Sequence, residues 1–283
     1  MKSNGIKILV LILTLLNVAL LIYGFKTYPD WILVVFCAAI FELLLGILYL
    51  QYRVYWANSK NNSTSVPAEL KNLKQQVNSV YNRVDALFSI HSIIKLRQPL
   101  PIMQDWTITS DYGHALIQEI LAKSSGNVLD VGSGISTLLA GYAVEKRGNG
   151  NVIALEHEET YFIRNKKMIA DHQLTNCVKI YHCPLKKYTI NGEEWLWYDI
   201  SGVPAWENIE VVSIDGPPGN IQKLSRYPAL PILNTKICDT AVVLLDDGDR
   251  PDEKLIVEKW KQEFSVQTQY HSNAKGLFIL QKR

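Results

Sequence analysis

The sequence predicts an α/β domain built on an open, mainly parallel sheet that ends in a β-hairpin, preceded by two transmembrane helices and a long amphipathic helix. Three observations predict it. The apolar run Asn127-Val-Leu-Asp-Val131 passes straight into a glycine turn and then a helical pattern. Strand-length apolar runs and helical stretches then alternate to the end of the chain. Two runs of about 20 apolar residues, each enough to cross a hydrocarbon core, occupy the N-terminal region.

The first of those runs goes from Ile6 to Phe25 and the second from Trp31 to Tyr52, joined by a short link carrying Lys26, Pro29 and Asp30. The first is longer than the apolar core of a signal peptide, and no small-x-small cleavage site follows it. Residues 1–57 therefore read as a transmembrane helical hairpin with spans at about 6–25 and 31–52. Lys2 and Lys7 precede the first span and Arg53 and Lys60 follow the second, so the positive-inside bias places both ends, and the catalytic domain, in the cytoplasm. Glu42 sits mid-span, either as a functional carboxylate or as a group buried against a partner helix.

Residues 58–66, including the Ser/Asn-rich run Asn58–Ser65, read as a linker. Over 67–98, Leu70, Leu73, Val77, Val80, Val84, Leu87, His91 and Ile94 recur three and four residues apart, an a/d seam that predicts a coiled coil and a homo-oligomer. The same spacing fits a single amphipathic helix packed on the domain or lying on the membrane. Pro99 and Pro101 close the helix, and 99–283 form the α/β domain.

The 283 residues suffice for an anchor, a connector and one catalytic unit. A formal net charge of +2, with no Lys/Arg run interleaved with aromatics, excludes a nucleic-acid footprint. Cys37 lies in an apolar run, and Cys177, Cys183 and Cys238 have no CxxC or His partner at ligand spacing. They fit reduced cytosolic thiols rather than disulfides or a zinc site.

Within the domain, Gly132-Ser-Gly134 between the first strand and the helix from about Ile135 lets backbone approach a ligand, and the helix N-terminus favours a negative group such as a carboxylate. Val152-Ile-Ala-Leu155 is a second strand ending in Glu156, where a carboxylate can accept hydrogen bonds from ribose hydroxyls. Further strands are predicted at 178–182, 209–214 and 241–245, a helix near 161–171, and a terminal hairpin of 264–271 with 276–281. Thr137 stands where dinucleotide dehydrogenases use a third glycine, which argues against an oxidoreductase.

Over about residues 105–283 the sequence resembles the class I S-adenosylmethionine-dependent methyltransferases. VLDVGSGIST matches their first motif and Glu156 the acidic end of their second strand. The resemblance implies a Rossmann-like seven-stranded methyltransferase sheet with S-adenosylmethionine as cofactor. Asp130, Gly132, Ser133 and Gly134 would lie around its methionine part, Glu156 on its ribose, and His157 and Cys183 towards its adenine. LPIMQDWTITSD, DGPPG, RYPAL and LLDDGDR are similar to a bacterial branch of that superfamily. Trp106, Ser110 and Asp111 lie where the superfamily often closes a lid, and Ser110 or Asp111 can equally cap the following helix.

In an open parallel sheet, ligands gather outside the carboxyl ends of the strands. Asp215 closes the fourth strand and Asp246 and Asp247 the fifth, so their oxygens can converge on a hard cation, magnesium or another divalent ion. This is similar to the catechol O-methyltransferase group, with Asp247 where that group has Asn. A metal would lower the pKa of an acceptor hydroxyl. Without one, Asp215 or Asp247 can serve as general base and Arg250 can orient an acidic acceptor. Turn and cap chemistry accounts for the same acids, Asp249 before Pro251 being a helix cap. The aromatic stretch Glu193–Tyr198 with Trp206 can stack on a ring, pack the core or contact a second copy.

The expected function is an O-methyltransferase acting at the cytoplasmic membrane face on a glycan, a lipid-linked sugar or another small hydroxyl acceptor. The alternative is a non-catalytic membrane-bound scaffold with the same fold.

Overall fold

Five-residue runs of Val, Ile and Leu, buried on both faces, become the central strands of the computed structural model, which describes residues 31–58, 66–103, 107–204 and 208–282. In chain order the described elements are helices α1 (Trp31–Asn58), α2 (Val66–Ile93) and α3 (Ser110–Ala122), strand β1 (Asn127–Val131), α4 (Ile135–Arg147), β2 (Val152–Glu156), α5 (Glu159–Asp171) and β3 (Val178–His182). After these come β4 (Leu185–Ile190), β5 (Glu193–Tyr198), β6 (Ile209–Ile214), α6 (Ala229–Leu233), β7 (Ile237–Leu245), α7 (Pro251–Glu263), β8 (Val266–His271) and β9 (Leu277–Lys282).

The expected seven-stranded sheet forms in the order β3-β2-β1-β6-β7-β9-β8. β3 through β7 pair in parallel, and β9 enters antiparallel to β7 with β8 folded back on it. Parallel neighbours need crossovers, which α4 and α5 supply between β1, β2 and β3. Side chains alternate across the sheet. Val128, Val211, Val242 and Leu244 face a core with α3, α4 and the end of α2, while Leu129, Val131, Val212 and Leu245 face one with α7 and the β4–β5 hairpin. The topology brings the carboxyl ends of β1, β2, β6 and β7 to one edge, and there the order changes direction about β1 and β6.

The β4–β5 hairpin is an element the sequence reading passed over as an interruption. Asn191 and Gly192 both take positive φ, 53° and 83°, the conformation an Asn-Gly turn supplies between two antiparallel strands. Its aromatics settle the open choice for that stretch in favour of core packing: Trp195, Trp197 and Tyr198 are buried, and Trp195 lies 4.7 Å from the Tyr227 ring. Trp206 lies outside the described residues.

The described residues cover the N-terminal expectations only in part. The predicted span 6–25 and most of the linker lie outside the described residues. The second span lies in α1, but among the described residues no helix is long and apolar enough to cross a membrane. Compact units divide between Gln75 and Gln76, inside α2.

The predicted coiled-coil seam is also displaced within the second unit. Ala86, Ile90 and the last seam position, Ile94, are buried against the domain, whereas the seam positions Leu87 and His91 are exposed. The C-terminal turns of α2 thus follow the amphipathic alternative, because the face that meets α3 and α4 runs through Ile90, one residue before the seam position His91, and rejoins the heptad line only at Ile94. Arg97 secures the segment beyond it, pairing with Glu145 at 2.5 Å and donating to the His172 carbonyl at 3.0 Å.

Candidate active site

The turn after β1 is glycine for steric reasons. Gly132 has φ of +105°, and a Cβ there would lie 2.9 Å from the Gly216 nitrogen, so the β1 and β6 turns touch backbone to backbone. Gly134 differs: its φ of 167° is extended, and a Cβ would meet nothing within 4 Å. The turn therefore has one closed side, against β6, and one open side able to receive a ligand. Gly132→Ala should cost about 1–3 kcal/mol of stability in a denaturant titration, from left-handed strain and the clash. Gly134→Ala should leave that titration unchanged while weakening cofactor binding, since its methyl group enters the open side.

Asp130, buried in β1, supports this turn from below. One of its oxygens accepts from Ser136 Oγ at 2.9 Å and Thr137 Oγ1 at 2.6 Å, and Thr137 Oγ1 in turn accepts from the Gly134 N–H at 3.0 Å. Thr137, which replaces the third glycine, thus closes the first turn of α4. Burial pushes the Asp130 carboxyl up to about 6, against the opposing pull of these hydroxyls. A folded-state pKa above the unfolded 3.8 means the native state holds the extra proton, so this contribution is complete below 3.8 and is lost as pH rises through about 6. Asp130→Asn should flatten that slope, worth about 3 kcal/mol for two units, in unfolding curves taken across the interval.

Glu156 ends β2 beside the turn. Its Oε1 accepts from the backbone N–H groups of His157 at 2.9 Å and Glu158 at 3.0 Å, and its Oε2 accepts from Ser133 Oγ at 2.7 Å. Burial would raise its pKa, yet hydrogen bonds from His157, Glu158 and Ser133 outweigh it and hold the carboxyl below its ordinary value. Asn165 Nδ2 donates to Ser133 Oγ at 2.8 Å, fixing the serine from α5. The result is a charged, oriented acceptor at the mouth of the glycine turn, the position a ribose diol requires. His157 stands edge-on to Tyr198, 5.6 Å between centroids, and Cys183 N–H donates to the Glu156 carbonyl at 2.6 Å. Burial pushes the Cys183 thiol up to about 12, so it serves as apolar lining.

The three strand-end acids converge as the sequence predicts. One oxygen each from Asp215, Asp246 and Asp247 lies within 4.8 Å of the others. The residue that organises them is Arg226, 2% exposed, to which sequence reading gave no role beyond its place in the RYPAL motif. Its Nη2 donates to Asp215 Oδ1 at 3.1 Å and Asp247 Oδ2 at 2.7 Å, its Nη1 donates to the Asp246 carbonyl at 2.9 Å, and Glu253 lies 3.5 Å away. Arg250, 47% exposed in its side chain, adds a contact of 2.9 Å to Asp247. Burial, with the neighbouring Asp247, pushes Asp215 up to about 6 against the pull of Arg226. Asp246 goes well above its ordinary value because burial is joined by Asp215 and Asp247, and neither of its carboxyl oxygens has a hydrogen-bond partner.

Comparison with known proteins bears on this geometry. Residues 72–184 match the family model described as protein-L-isoaspartate(D-aspartate) O-methyltransferase. The matched segment covers less than half of the chain and takes in the β1 glycine turn, Glu156 and Cys183. No curated protein matches it. Among solved structures the chain is similar to the O-methyltransferase TomG from Streptomyces achromogenes, in complex with SAM, at 14% identity over 71% of this chain and 89% of that one, TM-score 0.46. It is similar to an O-methyltransferase from Bacillus cereus in complex with SAH (13% identity, 72% and 91% covered, TM-score 0.46). A third is the SAH-bound Podospora anserina methyltransferase PaMTH1 (11% identity, 78% and 97% covered, TM-score 0.48).

In the α/β domain the predicted cofactor residues fall into two groups. Gly132, Ser133, Gly134, Glu156 and His157 gather around one crevice, whereas Asp130 and Cys183 support it from within. Of the predicted lid residues, Trp106 lies outside the described residues, Ser110 Oγ donates to the Arg83 carbonyl at 2.6 Å, and Asp111 accepts from Ala274 N–H at 2.9 Å. Asp249 accepts from the Tyr270 hydroxyl at 2.5 Å, and Arg250, not Asp249 as the sequence predicts, takes the helix-cap position. Tyr198, in the aromatic stretch the sequence reading left open, lies beside the Gly216 turn. Its hydroxyl is buried without a partner, and a Cβ on Gly216 would fall 2.2 Å from it.

Proposed function

We propose that the chain methylates an oxygen acceptor, a hydroxyl of a glycan, lipid-linked sugar or other small molecule, at the cytoplasmic face of a membrane. The observation that carries the reading is the open side of the Gly132–Gly134 turn lying beside an ionised, oriented Glu156. S-adenosylmethionine supplies an activated methyl group when bound. Glu156 would hold its ribose, and the β1 turn, closed on one side by Gly216, would seat its methionine part. Asp215, with a carboxyl near 6, is mostly ionised at neutral pH and can take the acceptor proton as the new O–C bond forms and the C–S bond breaks. Positioning does most of the rest.

The membrane placement draws on two features. Residues 6–25 and 31–52 are apolar in sequence, and Leu43, Leu50 and Val54 on α1 are 58–68% exposed in the isolated chain, a patch a lipid surface would cover. Leu70, Val77 and Tyr81 on α2 are likewise exposed, which fits self-association through 67–98. A carboxylate acceptor is the second reading. It draws on the match to a carboxyl-methylating family over 72–184 and on Arg250, an exposed cation at the rim of the acid cluster.

Full-length protein in detergent, given methyl-labelled S-adenosylmethionine and an extract of bacterial membranes, should yield labelled product stable to mild alkali, as an ether is. Release of the label as methanol would select the carboxylate reading. Cofactor binding without any label transfer would leave the scaffold alternative standing and end the enzymatic one.

A further inference from the structure

The strand-end acids hold a cation of their own. A divalent ion shared by Asp215, Asp246 and Asp247 would need oxygens at about 2.0–2.6 Å from it. Two of those carboxylates are already engaged by one guanidinium, Asp247 at 2.7 Å and Asp215 at 3.1 Å, and the same group bonds the Asp246 backbone at 2.9 Å. Arg226 comes from the segment after β6, its side chain is 3% exposed, and Glu253 of α7 lies 3.5 Å away as a fourth acid. Arg250 adds a second positive group at Asp247. A dication placed among these oxygens would meet like charge on both sides, so the donor set does not fit one while Arg226 is in place.

We propose that Arg226 is the permanent cation of this cluster, a positioning residue that orients Asp215 and Asp247 in the role a divalent ion would otherwise fill, and that methyl transfer here runs without added metal. The inference rests on the methyltransferase reading of the site. A guanidinium suits the task because its planar fork spans two carboxylates at once and does not lose its proton. Both carboxyl oxygens of Asp246 are buried and without hydrogen-bond partners.

Manganese(II) serves as the probe, its uptake by the full-length protein in detergent followed through loss of the free-ion electron paramagnetic resonance signal. Wild type should show no saturable uptake that Asp246→Asn removes, and Arg226→Gln should gain such uptake. Saturable wild-type uptake abolished by Asp246→Asn overturns the proposal, as does a folded Arg226→Gln that gains none. Uptake unchanged by Asp246→Asn lies elsewhere and leaves the cluster as proposed. If Arg226→Gln does not fold, wild type against Asp246→Asn decides alone. S-adenosylmethionine binding is measured on the same samples; its absence from wild type would count against the methyltransferase reading and not against the assignment of the cation.

Discussion

Glu156→Ala should weaken S-adenosylmethionine binding by about 100-fold to 10,000-fold in calorimetric titration. The carboxylate is the one charged acceptor at the mouth of the glycine turn, and two hydrogen bonds to a charged group contribute about 1.5–3 kcal/mol each. The substitution also strands the donors that Glu156 satisfies, the N–H groups of His157 and Glu158 and the Ser133 hydroxyl. Glu156→Gln keeps the shape without the charge and should fall between alanine and wild type. A loss below about threefold, under 1 kcal/mol, would show that the ribose is held elsewhere.

The second large effect is on stability. Arg226→Gln leaves Asp215, Asp247 and Glu253 without their shared counter-charge in a buried site. Breaking a buried ion pair by removing one partner costs about 3–5 kcal/mol, a large part of a total stability of about 5–15 kcal/mol. Thermal unfolding should shift down by roughly 6–20 °C for a domain of this size. The loss should shrink at low pH, because Asp215 and Glu253 both have carboxyl pKa values raised by burial and are protonated earlier than exposed acids as pH falls. A shift independent of pH would mean that packing, not charge, sets the cost.

What the sequence made legible follows from how local each signal is. β1, β2 and β6 lie where the apolar runs place them, because a strand buried on both faces reads as an unbroken apolar segment. The glycine turn, Glu156 and the three strand-end acids follow from the same register, since each sits directly after its strand. Arg226 had no such signal. Its partners lie 11, 21 and 27 residues away and meet only when β6, β7 and α7 are assembled. The β4–β5 hairpin did carry one, Asn191-Gly192 between two runs with aromatics, and the charged residues at the strand ends obscured it. On α2 the spacing of apolar residues was correct for a helix but not sufficient to fix which face meets the domain, because Ala86 and Ile90 compete with Leu87 and His91 by one position.

That hairpin also separates what must be kept from what is free to change. At its base, Trp197 and Tyr198 are packed against the sheet core, and Tyr198 touches the Gly216 turn. At its tip, Asn191 and Gly192 are exposed, and a side chain on Gly192 would meet nothing within 4 Å. Lengthening the loop there adds chain at small entropic cost and disturbs none of the base. The hairpin tip is therefore a grafting point, where descendants of this chain can acquire new acceptor-contacting loops, or an experimenter a spectroscopic tag, with the cofactor crevice left as it is.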